Sequence, residues 1–397
     1  MIEMNKKALA LILLIFAAAL FAGGIFMYGI FLTALFLAII SYASGRYVYN
    51  NLVNLTWEIS SNAVRGDRVS LKTDWYNAGI IPIPYLKVIA SLPKRLAGEE
   101  QKQRVYSIMP EMITTMSRDF ECRHKGVYKI GVIETVFEDT LGIFKWKKVF
   151  YDDRYLVVYP KVHLLKHLDI PMRQQYGTSA VKHAAYEDCT GTKDIRKYII
   201  GDSFKKIHWK VTAHRGDFYV RNVEINASAD LIVFLDLYDY GFDEETAYDI
   251  EEKGAECAAS IIRYALANSM SVNFTARGEE LVSLSAKRAD RFNLFLDAIS
   301  KLSSKGDIPI GDLVRKEARK LDWEATAVVI TPCIEKNASA FLSLKASGTE
   351  LVIIYLCGDG ANGGKDAEIL KSSGLNVFAV GLEDEINQVL GLSLIHI

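Results

Sequence analysis

The chain has 397 residues, of which 50% are hydrophobic and 24% are charged, and its formal net charge is −1 at pH 7. This balance lacks the basic footprint that nucleic-acid binding requires, so we predict no nucleic-acid partner. The length allows two or three domains, each with its own core. The 5 cysteines form no Cys-x-x-Cys pair, which argues against a disulfide framework or a zinc site and is typical of a reducing compartment.

The N-terminal region contains a long uncharged segment, residues 8–45. A single helix of that length would extend about 57 Å, far beyond the roughly 30 Å hydrocarbon core of a bilayer. The segment therefore predicts a transmembrane hairpin within residues 1–46, with helices at 8–22 and 25–42 that meet at Gly23 and Gly24. Both helices are short for membrane spans, so slight thinning of the bilayer is expected.

The charges that flank this segment predict its orientation. Lys6 and Lys7 precede the first helix, Arg46 follows the second, and the turn between them has no charge. The positive-inside rule then places both ends, and the soluble domains that follow, in the cytoplasm of a multi-pass cell-membrane protein. The alternatives are a single span and a cleaved signal peptide ending near residues 17–19.

Residues 47–160 have the pattern of an antiparallel β-protein. Short runs of alternating or continuous apolar residues are separated by Gly, Asn and Pro; they lie at 69–75, 85–90, 126–131, 132–137 and 155–159. This spacing predicts an all-β sandwich of the immunoglobulin-like kind. The only helix indicated in this region is a short one at 110–116.

Residues 230–390 alternate between buried strands and amphipathic helices. Strands are predicted at 230–236, 271–275, 326–331, 351–356 and 375–380, with helices at 243–268, 290–302, 337–344 and 365–373. Strands that are apolar throughout indicate a parallel sheet covered on both faces, so we predict a Rossmann-like α/β domain. Residues 391–397 continue no element and have the character of a non-native tail.

Residues 161–229, between these two domains, contain the most distinctive sequence of the chain. Its characteristic positions are Arg196, Tyr198, Gly201, Asp202, Ile207, His208, Trp209, Lys210, Ala213 and Arg215. This run resembles the hallmark of the family named domain of unknown function 58. The segments 123–128 and 139–144 also resemble that family, although Asp139 is followed by Thr where Pro is common, and His214 stands where a basic residue is more usual.

The resemblance carries implications for fold and partners. It implies that the C-terminal α/β domain is von Willebrand factor A-like. It also implies two partners, a MoxR-type AAA+ ATPase and a transglutaminase-like membrane protein, because such proteins are commonly encoded beside members of the family.

The signature segment leaves three interpretations open. Residues 193–221 contain 8 Lys or Arg against 3 Asp, which favours a docking surface for an acidic partner or anionic lipid. Arg196, Asp202 and Lys210 could instead form a structural ion-pair network with Trp209 as core filler. A hydrolase would use His208 as a base oriented by Asp202, but the sequence has no nucleophile elbow.

Two patterns in the C-terminal domain imitate ligand sites. Asp236 follows the first strand where metal-binding A domains have Asp-x-Ser-x-Ser, yet Tyr238 and Tyr240 replace both small hydroxyls. Asp239 and Asp243 are the only nearby substitutes, so Asp236 is a weak metal candidate. The glycines of segment 358–363 and Glu383 fit a dinucleotide fingerprint, but too little chain follows to complete such a domain.

The sequence thus predicts a membrane-anchored, non-catalytic scaffold that presents protein-binding domains in the cytoplasm and needs no cofactor. The alternatives are a hydrolase that uses Asp202 and His208, and a metal-dependent adhesion-type A domain that uses Asp236.

Overall fold

A computed structural model of the chain describes residues 2–98, 104–139, 141–168, 192–197, 211–212, 215, 217–223, 231–318, 325–357 and 363–390. The first eleven strands are β1 (Ile2–Met4), β2 (Leu52–Glu58), β3 (Asn62–Val64), β4 (Arg68–Asn77), β5 (Ile83–Ala90), β6 (Arg104–Ile108), β7 (Ile113–Glu121), β8 (Gly126–Lys129), β9 (Val132–Glu138), β10 (Phe144–Tyr151) and β11 (Tyr155–Tyr159). The remaining strands are β12 (Thr192–Lys197), β13 (Tyr219–Val223), β14 (Leu231–Leu235), β15 (Val272–Arg277), β16 (Leu281–Ala286), β17 (Thr326–Thr331), β18 (Glu350–Cys357) and β19 (Asn376–Gly381). The α-helices are α1 (Lys6–Ala22), α2 (Ile25–Asn51), α3 (Lys94–Ala97), α4 (Glu244–Ala267), α5 (Phe292–Lys301), α6 (Ile310–Ala318), α7 (Ala338–Ala346), α8 (Gly363–Ser372) and α9 (Ile386–Leu390).

The chain forms two compact units that do not follow simple sequence order. The first unit comprises Met1–His163, Gly241–Ala259 and Asn293–Lys305. The second comprises Leu164–Tyr240, Ser260–Phe292 and Gly306–Ile397. Residues 391–397, which the sequence analysis predicts to be a non-native tail, lie outside the described residues.

The first unit begins with the predicted helical hairpin. Gly23 and Gly24 separate α1 from α2 with φ angles of +62° and +87°, which glycine adopts without steric cost. Among the described residues, α2 is the helix that is long and apolar enough to cross a membrane. The rings of Phe16 and Phe31 bring the two helices together, with centroids 5.0 Å apart.

The helix α2 continues nine residues beyond its predicted end at residue 42. Gly45 and Val48 are buried along this extension, and Gly45 faces the indole of Trp146 so closely that a β-carbon would have no room. Lys148 donates to the carbonyls of Tyr49 and Leu52, at 2.8 Å each, near the end of the helix. Tertiary packing therefore extends a helix that hydropathy alone would end at the membrane boundary.

The short strand β1 comes before α1 in the chain, and it pairs with β10, which comes after α2. The segments on either side of the helical hairpin therefore belong to one sheet. Ile2 lies opposite Trp146, and Met4 lies opposite Phe144. Asn5 then caps α1 by accepting from the amide of Lys7 at 3.0 Å, while its own amide donates to Ile143. The two ends of the hairpin are therefore held by one sheet.

Residues 52–159 form three sheets around one hydrophobic core. Their orders are β1-β10-β9-β5-β6, β2-β4-β7 and β3-β11-β8, and all described pairs are antiparallel except β3 with β11. All five predicted strand runs are present. The helix predicted at 110–116 is wrong: Glu111 turns the chain with a φ of +52°, and the β-branched residues after it extend into β7.

The second unit contains a six-stranded sheet of order β16-β15-β14-β17-β18-β19. Five strands are parallel, as predicted, and every residue of β14 and β17 is buried. The sequence analysis missed β16, which pairs antiparallel with β15 after a tight turn, because its polar alternation suits an edge strand. It also missed α6, because Pro309 and Gly311 around its start are typical of loops.

Candidate functional site

Of the signature residues, the structure describes Arg196 and Arg215, and Arg196 lies on a two-stranded sheet of the second unit. Arg196 is on β12, opposite Val220 of β13. The other signature positions before residue 211 lie outside the described residues: Tyr198, Gly201, Asp202, Ile207, His208, Trp209 and Lys210. The proposed ion-pair network, the docking surface and the hydrolase pair therefore all remain predictions.

Arg215 is the signature residue whose side chain is described, and it is exposed. Its guanidinium lies 5.5 Å from the ring centroid of Tyr219, within cation–π distance. Beside it, Lys197 and Asp217 form an ion pair of 2.6 Å between two largely exposed side chains. Such a surface pair adds little stability.

The six-stranded sheet contains a second candidate site at the point where its strand order reverses. β14 has β15 on one side and β17 on the other. In open α/β sheets, ligands bind outside the carboxyl ends of the strands at such a switch point. Asp236 directly follows β14, Thr331 ends β17, and the amide of Asp236 donates to Ile330 at 2.9 Å.

Three protein groups donate hydrogen bonds to the carboxylate of Asp236. The hydroxyls of Thr331 and Tyr240 donate to Oδ2 at 2.6 Å and 2.9 Å, and the amide of Tyr238 donates to Oδ1 at 3.1 Å. The Tyr240 hydroxyl in turn accepts from Nδ2 of Asn337 at 2.8 Å. Three donors from two strand ends thus hold one buried carboxylate.

Asn337 extends this network into the neighbouring elements. Its Nδ2 also donates to the carbonyl of Cys333 at 2.9 Å, and its Oδ1 accepts from the amide of Gly311 at 3.0 Å. The side chain is only 2% exposed. Since a buried amide must have partners, Asn337 fixes the position of the Tyr240 hydroxyl relative to Asp236.

Burial determines the protonation of this site. Burial raises the pKa of Asp236 to about 6, although the hydrogen bonds from Thr331, Tyr238 and Tyr240 act in the opposite direction. Burial, together with the nearby charge of Asp236, raises the pKa of Tyr240 far above its ordinary value. The phenol therefore stays protonated at neutral pH and remains a donor to the carboxylate.

The metal prediction for Asp236 can be compared with this geometry. The phenol of Tyr240 and the backbone amide of Tyr238 both donate hydrogen bonds to the carboxylate of Asp236. The two tyrosine rings pack edge-on, with their centroids 4.9 Å apart. Asp243 accepts from the amide of Thr246 at 3.1 Å near the start of α4, which is an N-cap interaction. The described part of the chain contains no group of three or more His, Cys, Asp or Glu suited to a metal ion.

The sequence analysis missed a buried ionic cluster in the first unit. Lys125, which is 0% exposed, pairs with Glu251 at 2.7 Å and also donates to the carbonyl of Leu302. Arg95 makes a second ion pair with Glu251, whose other oxygen accepts from the amide of Ser304 at 2.8 Å. The segment 123–128, which carries part of the family resemblance, thus supplies a fully buried lysine.

Two further glutamates of α4 belong to the same cluster. Glu252 accepts from the backbone amide of Lys125 at 2.6 Å, and Glu256 pairs with Arg65 at 2.9 Å. Burial raises the pKa of Glu252 to about 7. Burial opposes ionisation of Glu251 as well, but the charges of Lys125 and Arg95 outweigh it and lower its pKa.

A signal for this cluster exists in the sequence but is weak. Glu251, Glu252 and Glu256 lie among the apolar positions of α4 that predict its buried face. Acidic residues at such positions indicate buried partners. The partners Arg65, Arg95 and Lys125 are more than a hundred residues away, and no local pattern connects them to the helix.

These elements define a multidomain protein with several β-sheets, an α/β sheet and an N-terminal helix able to span a membrane. Residues 194–299 match the family described as protein of unknown function DUF58. The chain is also 22% identical over 319 residues to the uncharacterized protein YeaD of Bacillus subtilis (strain 168), covering 79% of this chain and 76% of that protein. Residues 194–299 are therefore similar to the DUF58 family, and most of the chain is similar to one uncharacterized bacterial protein.

Several solved structures are similar to about a quarter of the chain. The CARDB domain of the PF1109 protein from Pyrococcus furiosus is 14% identical, with 27% of this chain and 91% of that chain covered and a TM-score of 0.20. The sporulation control protein Spo0M from Bacillus subtilis is 13% identical, with 28% and 49% covered and a TM-score of 0.17. Similarity at this level carries no argument about fold or function.

Proposed function

We propose that this protein is a membrane-anchored, non-catalytic scaffold. In this proposal α1 and α2 cross the membrane as a hairpin, and the two units present protein-binding surfaces in the cytoplasm. The observation that supports the membrane anchoring most directly is the pairing of β1 with β10, because it relates the two ends of the hairpin to one another.

The argument for two crossings follows from this pairing. A chain that crosses once at α2 has its preceding and following segments on opposite sides of the membrane. β1 precedes α1, yet it belongs to the same sheet as β10, which follows α2. If α2 crosses, α1 must return across the membrane as well, and its 17 residues extend about 25 Å, close to a bilayer core.

The exposure of the hairpin supports the same assignment. Large apolar side chains face outward along both helices; they include Leu14 (67%), Phe21 (95%), Ile25 (94%), Phe26 (75%) and Phe36 (62%). An exposed apolar surface of this size needs lipid or protein to cover it. Lys6, Lys7 and Arg46 at the inner end favour the cytoplasmic side for both units.

The proposal includes two fold assignments. We assign the sheets of residues 52–159 to an immunoglobulin-like sandwich, supported by their antiparallel pairing and common core. We assign the six-stranded sheet to a von Willebrand factor A-like domain, supported by its doubly wound order with β14 at the centre.

A non-catalytic role is consistent with the chemistry of the buried groups. The carboxylate of Asp236 accepts three hydrogen bonds from the protein, and Glu251 is engaged by Lys125 and Arg95. Groups held in this way stabilise the fold and are poorly placed to ligate an ion or attack a substrate. The edge beside Asp236 would then recognise a protein through its surface, without a metal.

The partner proposed from the family resemblance is a MoxR-type AAA+ ATPase, with a transglutaminase-like membrane protein as a second candidate. The test is to measure binding of the purified ATPase to the full chain in lipid nanodiscs by biolayer interferometry. We expect Arg196→Ala, within the signature, to weaken binding at least tenfold, whereas Arg154→Ala, at an exposed surface ion pair, leaves it unchanged. Equal binding by both variants would contradict a role for the signature in docking, and no binding by the parent chain would contradict this partner.

The enzymatic alternative uses Asp202 and His208, which lie outside the described residues. It predicts that His208→Ala abolishes a hydrolytic activity while leaving ATPase binding intact. The scaffold proposal expects the reverse dependence, with binding sensitive to the signature and no hydrolytic activity to lose.

A further inference from the structure

The first unit has an exposed apolar surface where the β-sheets meet the end of α2. Four residues, on two loops and at the start of β7, define this apolar rim: Ile80 (74% exposed), Met109 (55%), Met112 (55%) and Ile113 (59%). Large apolar side chains that are exposed this strongly on adjoining segments of the fold indicate a surface that lipid or another apolar partner covers.

Hydrogen bonds join the two loops to each other and to α2. The amide of Glu111 donates to the carbonyl of Asn77 at 2.9 Å, and the amide of Ala78 donates to the carbonyl of Asn51 at 2.9 Å, the last residue of α2. The side chain of Asn77, which is 0% exposed, donates to Ile81 and accepts from the amide of Gly79. The rim is therefore fixed in place beside the helix.

The rim continues across the outer face of the neighbouring three-stranded sheet. Val53 of β2 lies opposite Tyr76 of β4, which lies opposite Ile113 of β7. One step further from α2 the same face becomes polar, since Asp74 accepts from Thr56 at 2.6 Å and from Thr115 at 2.7 Å. The apolar surface is thus confined to the end of the sheet next to the helix.

The rim is also continuous with the apolar surface of the hairpin. Ile40 (46% exposed) and Tyr47 (38%) are seven residues apart and lie on one face of α2. A β-carbon on Gly79, next to Ile80, would lie 2.7 Å from the ring of Tyr47. Exposed apolar side chains therefore run from the membrane-spanning part of α2 directly onto the rim.

The length of the hairpin indicates where the bilayer ends. At 1.5 Å per residue, Tyr47 lies about 33 Å along α2 from Ile25, whereas the hydrocarbon core is about 30 Å thick. α1 is shorter, and its apolar residues 8–22 extend only about 22 Å. Along α2, a core that begins at the turn therefore ends close to Tyr47, where the rim begins, while the shorter α1 requires the bilayer to thin beside it.

We propose that the apolar rim lies in the bilayer interface, so that the inner leaflet covers Ile80, Met109, Met112 and Ile113. This proposal rests on the membrane anchoring of the proposed function. The bilayer interface suits the rim because it accepts apolar side chains beside charged ones, here Glu111 at the turn and Arg46 on α2. The hairpin would then anchor the first unit in the membrane, and contact at the rim would fix the orientation of that unit relative to the bilayer.

The test is photolabelling of the full chain in nanodiscs that contain a phospholipid with a diazirine in its acyl chain. Adducts are mapped by peptide mass spectrometry, and the polar end of the same sheet, residues 70–72, serves as the internal control. We expect adducts in 78–81 and 109–113 at no less than a third of the hairpin level, and control adducts at least tenfold lower. Ile80→Asp combined with Met112→Asp should reduce rim adducts at least fivefold while hairpin adducts stay unchanged.

The outcomes separate the two proposals. Adducts in the hairpin and the rim support both. Adducts confined to the hairpin would overturn the rim proposal, leaving that surface for a protein or a second copy, while membrane anchoring stands. Adducts in neither region would contradict membrane anchoring itself.

Discussion

The buried ion pair between Lys125 and Glu251 predicts an unequal response to the loss of each partner. Glu251→Leu leaves the ammonium of Lys125, which is 0% exposed, with the carbonyl of Leu302 as its remaining acceptor. Removing one partner of a buried pair typically costs about 3–5 kcal/mol, and we expect the upper part of that range. Lys125→Met leaves Glu251 with Arg95 and the amide of Ser304, so we expect the lower part.

Hydrogen exchange of the full chain in nanodiscs measures these losses. A loss of about 3 kcal/mol raises the exchange of the slowest amides in β4 and β9 more than a hundredfold. Lys129→Met is the matched control, because the ammonium of Lys129 pairs with Asp153 at the surface, where the two side chains are 53% and 84% exposed. Its expected effect is much smaller, because an ion pair at the surface adds little stability.

The double variant gives the sharper comparison. When Lys125→Met and Glu251→Leu are combined, no buried charge of this pair remains, and Arg95 is exposed enough (20%) to reach water. We therefore expect the double variant to be more stable than Glu251→Leu alone. Equal exchange in Lys125→Met and Lys129→Met, or strictly additive losses in the double variant, would refute this reasoning.

Three further predictions concern other buried positions. Burial raises the pKa of Glu252 from 4.5 to about 7, so the folded chain binds a proton that the unfolded chain releases, and stability falls as pH rises from about 4.5 to 7. Glu252→Gln should remove this dependence of the melting temperature on pH. An unchanged dependence in the variant would contradict the prediction. Tyr240→Phe removes a buried donor and should lower stability by about 1–2 kcal/mol in thermal unfolding, whereas Tyr238→Phe, which keeps its backbone contact, should have a much smaller effect. Gly45→Ala places a methyl group against a buried indole and should lower stability by about 1–3 kcal/mol, whereas the added methyl of Gly29→Ala meets nothing within 4 Å and should be neutral or stabilising. Equal melting temperatures for the two tyrosine variants, or for the two glycine variants, would contradict the packing described.

Local patterns predict the turn of the hairpin and the parallel strands of the second unit, but only five of the eleven strands β1–β11. The paired glycines at 23 and 24 predict the hairpin turn, and the runs at 69–75 and 132–137 predict β4 and β9 because alternation reports a half-buried strand. The prediction ended α2 too early, since nothing local signals that Gly45 would pack beneath Trp146. The edge strand β16 and the helix α6 were missed because polar alternation and a Pro-Ile-Gly start both imitate loops.

The candidate sites could be predicted less completely. Asp236 was identified from its place after a buried strand, and the replacement of small hydroxyls by Tyr238 and Tyr240 was visible in the sequence. The sequence did not show that the Tyr240 phenol donates to Asp236, because the position of this phenol depends on Asn337, which is distant in the chain. The same limit applies to Lys125 and its partners on α4, because long-range charge pairing leaves no periodic signal.

Membrane topology tests the central claim most directly. A protease-sensitive tag at each end of the full chain, expressed in a bacterial host, can be digested in spheroplasts and in inverted membrane vesicles. A hairpin whose two ends share one sheet predicts that both tags survive in spheroplasts and that both are cut in inverted vesicles. Cleavage of one tag from each side would contradict the hairpin, and cleavage of both in spheroplasts would contradict the cytoplasmic placement.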